Sequence, residues 1–174
     1  VYTESGSDVF DAVVLACHAD QALSLLAQPT PQEELLLGAI RYHPNTAVLH
    51  TDTSVMPKKK LAWAAWNYER ALDLGLESSR VCLHYWINRL QPLPFSDDVI
   101  VSLNPVRDIN PAKVLGSYNY AHPVFDLAAI KAQSQLASLQ GQQNTWYAGA
   151  WMGYGFHEDG FKAGRDAAQG ILVA

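Results

Sequence analysis

The sequence predicts a mixed α/β fold that combines a parallel sheet with an antiparallel sheet. A Val-rich apolar run at residues 8–17 precedes a helical segment, which is typical of a strand buried on both faces of a parallel sheet. From residue 46 to residue 103, apolar and aromatic runs alternate with turn-forming stretches, as in consecutive antiparallel strands. Near the end of the chain, a short strand, a glycine-rich loop and a helix follow one another.

The composition limits the class of protein. Of the 174 residues, 49% are hydrophobic and 17% are charged, which is enough apolar material for a buried core. The net charge of −5 argues against nucleic acid binding, because phosphate contacts need a basic face, and the run Lys58–Lys60 is expected to be a solvated turn. No run reaches the roughly 20 apolar residues of a membrane span, so we expect a soluble protein with no membrane span.

The beginning of the chain and its cysteines indicate its origin and compartment. The sequence starts with Val1 rather than with an initiator Met, and its first residues do not show the pattern of a signal peptide. We therefore expect the chain to be cut from a longer protein. Cys17 and Cys82 lie in apolar runs without CxxC spacing, which favours buried thiols over a disulfide. We therefore predict a cytoplasmic location.

The first helices have clear boundaries. A helix is predicted from Ala19 to Leu26, and residues 29–31 (Pro-Thr-Pro) interrupt the chain before a second helix at residues 32–40. Thr30 is expected to cap this second helix, with Pro31 at its first position and Glu33 completing a capping box.

The middle of the chain reads as an antiparallel, aromatic-rich sheet. The predicted strands are Ala47–Thr51, Leu61–Tyr68, Arg80–Trp86 and Val99–Leu103, and another follows from Asn110-Pro111 to Tyr120. Its aromatic side chains are Trp63, Trp66, Tyr68, Tyr85 and Trp86. They fit ordinary sheet packing, and the alternative interpretation is the wall of a substrate pocket.

The end of the chain carries the strongest chemical signal. Asp126 is expected to cap a helix over Leu127–Leu139 that ends at Gly141, and a short strand then leads into a loop with Gly149, Gly153 and Gly155. Glycines let backbone approach a ligand, and the first amides of the following helix have no partner within that helix.

The loop fails as a dinucleotide fingerprint, because Glu158 stands at the third glycine position. A neutral ring that accepts hydrogen bonds fits better than a phosphate. The small residues of this last helix allow close packing or cofactor binding.

Two stretches resemble the C-terminal flavin-binding motif of the flavin-containing amine oxidase superfamily. They are Tyr147–Ala150 and Gly155–Ala168: an apolar strand ending in Ala-Gly, then Gly-aromatic-x-Glu and a helix with Ala-Gly and Ala-Ala. Phe10–Ala16 resembles the strand that returns to the FAD domain of such proteins. Three further segments are similar to the bacterial predicted NAD/FAD-binding oxidoreductases of that superfamily: Leu49–Asp52, Trp63–Tyr68 and Tyr85–Asn88.

The resemblance implies the C-terminal part of a Rossmann-type FAD domain, formed by residues 1–28 and 141–174. Residues 29–140 would form a substrate-binding domain with an antiparallel sheet. Gly149 and Ala150 would lie by the ribityl and phosphate part of FAD, Phe156 beside the flavin, and the His157 amide at its N1/C2=O edge. The implied cofactor-binding set is Ala16, Gly149, Ala150, Gly155, Phe156, His157 and Glu158.

The implied function is that of an FAD-dependent oxidoreductase with a small, hydrophobic and unidentified substrate. The N-terminal GxGxxG with its ribose-binding acidic residue, which such proteins carry, is absent from this sequence. The chain therefore resembles a fragment that needs the N-terminal half of the FAD domain as its partner, and we expect it to be inactive and without stoichiometric FAD on its own. Amine-oxidising members of the superfamily commonly have a lysine near the flavin, but the positions of Lys58–Lys60 and Lys113 assign that role to none of them, so the resemblance gives no catalytic residue.

Other functions are less favoured. His18 at the end of the first strand is expected to make a satisfied polar contact rather than to act in catalysis, and His43 and His122 precede prolines in predicted turns. His50 and His84 are expected in the core or on the sheet surface, and we predict no metal site. The sequence has no GxSxG elbow, which disfavours a hydrolase, and its glycine-rich loop has no GK[ST], which excludes a P-loop NTPase. A non-catalytic binding module for a hydrophobic ligand remains the main alternative.

Overall fold

The computed structural model describes residues 1–70 and 82–173 and shows a mixed α/β protein. The chain divides into two compact units: residues 1–43 with 123–174, which we call the discontinuous unit, and residues 44–122, which we call the central unit. The domain boundaries expected after residues 28 and 140 both fall within the discontinuous unit. Arg80 and Val81, the expected start of one strand, lie outside the described residues.

The described part of the chain contains short helices and three sheets. Its strands are β1 (Tyr2–Thr3), β2 (Gly6–Ser7), β3 (Val13–Leu15), β4 (Tyr42–His50), β5 (Trp66–Glu69), β6 (Cys82–Trp86), β7 (Ile100–Leu103), β8 (Val114–Pro123) and β9 (Thr145–Tyr147). Its α-helices are α1 (Ala19–Leu25), α2 (Pro31–Gly38), α3 (Ile87–Leu90), α4 (Leu127–Gln133) and α5 (His157–Val173). None of these helices combines the length and apolar character needed to cross a bilayer.

A two-stranded parallel sheet organises the discontinuous unit. β3 pairs in parallel with β9, with Val13 opposite Thr145 and Leu15 opposite Tyr147, so the predicted parallel strand is present. It is shorter than the run at 8–17 and is not buried on both faces, since Val14 is 41% exposed. Among the described residues, β9 is the one strand that pairs with β3.

The helices of the discontinuous unit close its core. The predicted capping box of α2 is confirmed: Thr30 accepts from the Glu33 amide, and Glu33 accepts from the Thr30 amide. The predicted helix over Leu127–Leu139 is interrupted, because α4 stops at Gln133 and a 3₁₀ turn takes over at Leu136–Leu139. Ser134 caps α4 by donating to the Lys131 carbonyl, a side-chain bond that competes with helix propagation. The core they enclose includes Leu36, Leu37, Ile40, Leu136, Leu139, Tyr147 and Trp151.

The predicted antiparallel sheet forms the central unit, in the strand order β5-β6-β7-β4-β8. The strand expected at Leu61–Tyr68 begins only at Trp66, because Lys60–Ala62 makes a 3₁₀ turn. Lys60 is therefore more than a solvated turn residue: its ammonium lies 2.7 Å from an Asp98 oxygen and 5.1 Å from the Trp63 ring centre. The Trp63 indole donates to the Pro57 carbonyl and fixes the turn from the other side.

His43 and His122 lie in strands rather than in the turns that their prolines suggested. His43 belongs to β4 and His122 to the edge strand β8. A residue that precedes proline prefers extended backbone, and a strand satisfies this preference as well as a turn does. The Asn45 side chain reaches the Nδ1 atom of His122 at 2.9 Å.

The antiparallel sheet has two faces of different character. Because neighbouring residues of a strand point to opposite faces, the pairing register places His84, Ser102 and His50 on one face. We call it the closed face, since all three side chains are buried. Trp86 and Ile100 share it, and Trp86 packs edge-on against Trp63.

The opposite face, which we call the open face, carries apolar and aromatic side chains. The register assigns to it Trp66, Tyr68, Leu83, Tyr85, Leu49, Val101 and Leu103. Trp66 and Tyr68 are 58% and 57% exposed. On β8, Asn119 meets Thr46 on the closed-face side, so Tyr118 and Tyr120 lie on the open face. The expected aromatic set is thus divided between packing and an exposed surface.

Candidate functional site

The predicted cofactor-binding residues gather at the carboxyl end of the parallel pair in the discontinuous unit. Because β3 and β9 run in the same direction and pair in register, both strands end at the same edge of their sheet. Ala16 follows β3 and is exposed there, and Ala148, whose amide donates to the Leu15 carbonyl, leads β9 into the loop. In open α/β sheets, ligands bind outside the carboxyl ends of the strands. The structure thus brings Ala16 to the same edge as Gly149 and Ala150.

The glycines of the loop have structural roles of their own. A Cβ atom on Gly149 would lie 2.3 Å from the indole nitrogen of Trp151, which donates to the Cys17 carbonyl. Gly155 has a φ angle of +87°, in the left-handed region, and faces the Phe125 ring. The space beside Gly149 is therefore occupied by Trp151, and the glycine permits tight folding of the loop.

The loop presents the N-terminus of α5. The Phe156 carbonyl accepts the first helical bonds, from the amides of Asp159 and Gly160. The Asp159 carboxylate in turn accepts from the backbone amides of Tyr154 and Phe156, both at 3.0 Å. Among the described residues, the structure gives no acceptor to the amides of His157 and Glu158. Both residues are exposed, and the first amides of a helix have no partner within it.

Side chains around this helix start are accessible. Phe156 is 66% exposed, and His157 and Glu158 are exposed as well. Glu158 lies 3.4 Å from the Lys162 ammonium, one turn further along α5. Behind them, Ala163 and Ala167 of the small-residue face pack against Trp146 and Ala148. The inner side of α5 is thus committed to packing, and its N-terminal end is left open.

The His18 side chain contacts an aromatic ring beyond the end of β3. Its ring stacks on Tyr42, with ring centres 4.3 Å apart, and its backbone amide donates to the Gln21 side chain. The Tyr42 hydroxyl accepts from the Ala19 amide at 2.9 Å. Burial outweighs this bond and raises the pKa of Tyr42 to about 12, so the phenol is neutral at physiological pH.

A cleft beside α5 was not foreseen from the sequence. It has a volume of about 330 Å³ and lies between α5 and the segment of α4 with its following 3₁₀ turn. Lys162, Asp159 and Asp166 contribute charge to its lining. The Gln133 amide in its wall is already used, because it donates to the carbonyls of Trp151 and Gly153.

A buried hydrogen-bonded chain on the closed face was also not foreseen. The Asp52 amide donates to His50 Nδ1 at 3.0 Å, so the neutral ring carries its proton on Nε2, which lies 2.7 Å from Ser102 Oγ. The Ser102 hydroxyl then donates to His84 Nδ1 at 2.6 Å, and His84 Nε2 donates to Glu69 at 2.8 Å. A single backbone amide thereby sets the direction of every bond in this chain.

Burial limits the chemistry that these hydrogen-bonded side chains can perform. Burial lowers the pKa of His50, although the nearby Asp52 carboxylate opposes the shift, so His50 is neutral at physiological pH. Ser102, His84 and Glu69 follow the order of a hydrolase triad, but Ser102 is fully buried and cannot reach a substrate. The expected placement of His50 and His84 in the core or on the sheet is confirmed. Ligand atoms of Glu69, Cys82 and His84 lie within 4.8 Å of one another and could hold a metal ion.

The two cysteines are free thiols, with Cys82 buried and Cys17 half-buried.

In comparisons with known proteins, neither a protein-family model nor a curated protein matches the chain.

Proposed function

We propose that the chain is the C-terminal part of an FAD-dependent oxidoreductase of the amine oxidase type. The observation that carries the proposal is the start of α5, where the structure gives no acceptor to the amides of two exposed residues, His157 and Glu158, next to the carboxyl end of a parallel strand pair. A bound flavin would supply two-electron redox chemistry. The amides of His157 and Glu158 would hold the electron-rich edge of its ring, and Phe156 would cover a ring face.

The donor chemistry fits this cofactor. An uncharged ring that accepts hydrogen bonds can take two unpaired amides, and it avoids the repulsion that Glu158 would exert on a phosphate. A hydrogen bond to a charged acceptor contributes about 1.5–3 kcal/mol, so the amides favour the reduced, anionic ring over the oxidised one, whereas the Glu158 carboxylate opposes this preference by like-charge repulsion. The chain would in this way raise the reduction potential without a titrating side chain.

The open edge of β3 supports a missing partner. A two-stranded sheet is marginal in isolation, and parallel sheets are normally covered on both faces. The edge of β3 and its exposed Val14 offer the place where a further parallel strand would add. We propose that the N-terminal half of the FAD domain, with the pyrophosphate-binding GxGxxG, fills that place.

Flavin binding by a chain extended with its upstream coding sequence tests this proposal. We expect the extended protein to hold one FAD and the 174-residue chain to hold little. Stoichiometric FAD on the 174-residue chain would show that the pyrophosphate site is complete without a partner. An extended protein with neither a GxGxxG nor bound flavin would overturn the function itself.

A proline substitution isolates the amide contribution. His157 is the first residue of α5, where proline is tolerated and the amide is not used by the helix. In the extended protein, His157→Pro should weaken binding of reduced flavin by roughly tenfold or more, because one charge-assisted hydrogen bond is lost. His157→Ala keeps the amide and is the matched control. Equal affinities of the two variants would remove the amide from the flavin site.

The open face of the central unit favours a second candidate, a binding module for a hydrophobic ligand. Trp66 and Tyr68 expose more than half of their surface on an otherwise apolar sheet face. Titration with a long-chain fatty acid should quench tryptophan fluorescence in the wild type and less in Trp66→Phe. If the extended protein binds such a ligand and no candidate substrate reduces its flavin, the binding module replaces the oxidoreductase.

A further inference from the structure

Three side chains of different metal-binding chemistry meet on the closed face of the central unit. Glu69 and Cys82 are opposite each other in the pairing of β5 with β6, and His84 follows Cys82 by two residues on the same face. One ligand atom from each lies within 4.8 Å of the other two. Cys82 and His84 are buried, and the Glu69 side chain is 19% exposed, which leaves an entry path on the side of the carboxylate.

The distances fit a tetrahedral ion. Zinc bonds of about 2.3 Å to sulfur and about 2.0–2.1 Å to nitrogen, at a tetrahedral angle, separate the two ligand atoms by roughly 3.6 Å. The observed distance from Cys82 Sγ to His84 Nε2 is 3.7 Å. Glu69 Oε2 lies 2.8 Å from the same nitrogen, a hydrogen-bond distance that must widen by roughly 0.5 Å when a metal replaces the shared proton.

Each of the three side chains also has an outer partner. The Val106 amide donates to the Cys82 sulfur, and the Arg107 guanidinium pairs with Glu69. Ser102 holds the Nδ1 atom of His84 at 2.6 Å, which leaves the Nε2 atom directed at the other two ligands. Metal ligands in proteins are usually oriented by such outer hydrogen bonds. This shell is a second observation, independent of the ligand spacing.

We propose that Glu69, Cys82 and His84 form a binding site for Zn²⁺, with the fourth coordination position left to water. One thiolate and one carboxylate neutralise the charge of the ion, and thiolate and imidazole ligands favour zinc over magnesium or calcium. On binding, the S–H bond of Cys82 breaks, a Zn–S bond forms, and the proton leaves to solvent. To ligate through Nε2, His84 changes tautomer: the proton on Nε2 leaves to solvent and Nδ1 takes one up. The Ser102 hydroxyl, which donates to Nδ1 in the metal-free chain, then becomes the acceptor of that hydrogen bond. The bound ion ties β5 to β6.

Cobalt spectroscopy of the 174-residue chain tests the site. Co²⁺ bound to a thiolate gives a sulfur-to-metal charge-transfer band, and tetrahedral coordination gives intense visible bands. We expect both at one Co²⁺ per chain, and displacement by Zn²⁺. Cys82→Ser should abolish the charge-transfer band, whereas Cys17→Ser, which alters the other cysteine of the chain, should leave it unchanged. A wild-type titration without the band, or a band that survives in Cys82→Ser, would overturn the proposal.

A measurement on the unmutated chain covers the case in which a variant fails to fold. X-ray absorption of the zinc-loaded wild type should show one sulfur neighbour, with nitrogen or oxygen for the rest. Scattering from nitrogen and oxygen alone would place the zinc elsewhere and sink the assignment. The melting temperature should rise with added Zn²⁺ in the wild type and in Cys17→Ser, but not in a folded Glu69→Gln or Cys82→Ser.

Discussion

Asp52 and Glu33 are buried carboxylates whose charges are sustained by hydrogen bonds. Asp52 accepts from the amides of Asn110 and Ser54, and these bonds hold its pKa at about 2, below the ordinary 3.8. For Glu33, burial raises the pKa, but donation from Tyr147 and Thr30 outweighs burial and lowers it. Neither carboxylate is an isolated buried charge, and each stabilises the fold only while ionised.

Replacing Asp52 by Asn should destabilise the chain in a pH-dependent way. The lowered pKa means that the stabilisation, about 2 kcal/mol, is complete above the unfolded-state pKa and is lost as pH falls through the folded-state value of about 2. Urea unfolding should therefore show a large difference between Asp52→Asn and wild type at neutral pH and a small one near pH 2. The exposed Asp166→Asn serves as control. A difference that stays constant with pH would contradict the assigned role of the charge.

Removing the Tyr147 hydroxyl should cost stability through Glu33. The hydroxyl donates to Glu33 at 2.6 Å in the core, and burial together with this carboxylate raises the pKa of Tyr147, so the phenol stays protonated. Tyr147→Phe leaves the carboxylate short of one donor, and we expect a loss of about 1–3 kcal/mol in the free energy of unfolding. Tyr154→Phe at an exposed position should change it little. Similar values for both variants would show that the bond contributes nothing.

At the scale of elements, the start of α5 depends on one side chain. Asp159 accepts from the amides of Tyr154 and Phe156 and fills the space beside Gly153. We expect Asp159→Ala to destabilise the chain by about 0.5–2 kcal/mol, because both donors lose their acceptor. Thermal unfolding followed by circular dichroism measures the change, with Asp166→Ala in the middle of α5 as control. Equal melting temperatures would mean that the loop orders itself without the cap.

Local patterns predicted elements where local chemistry decides them. The capping box of α2 and the antiparallel strands follow from residue types at fixed spacings, and both are present. The 3₁₀ turn at Lys60–Ala62 was missed because it depends on Asp98 and Pro57, which lie elsewhere in the chain. Likewise, the series of hydrogen bonds that links His50 to Glu69 depends on strand register, which no single segment encodes. At the candidate flavin site, the motif predicted helix amides without a partner within the helix, whereas the packing reason for Gly149 needed the position of Trp151.

At the scale of the whole molecule, the parallel pair of β3 and β9 and the five-stranded antiparallel sheet differ in completeness. The central strands β6 and β7 each have neighbours on both sides, whereas β3 has one within the described part of the chain and exposes Val14. Hydrogen exchange should therefore be slower for the amides of β6 and β7 than for those of β3 in the 174-residue chain. Mass spectrometry of peptides that cover these strands provides the measurement. Protection of β3 equal to that of β7 would argue that its edge is already covered.

The path of the chain through β4 and β8 affects how the protein can fold. β3 and β9 are about 130 residues apart, and closing a loop of that length costs about 4 kcal/mol of chain entropy. β4 and β8 are adjacent strands, and the Val124 amide donates to the Arg41 carbonyl just outside them. Once the central sheet has zipped together, both ends of the polypeptide leave it side by side. β3 and β9 then have to close only a short effective loop to pair. The topology therefore favours formation of the central sheet before the parallel pair.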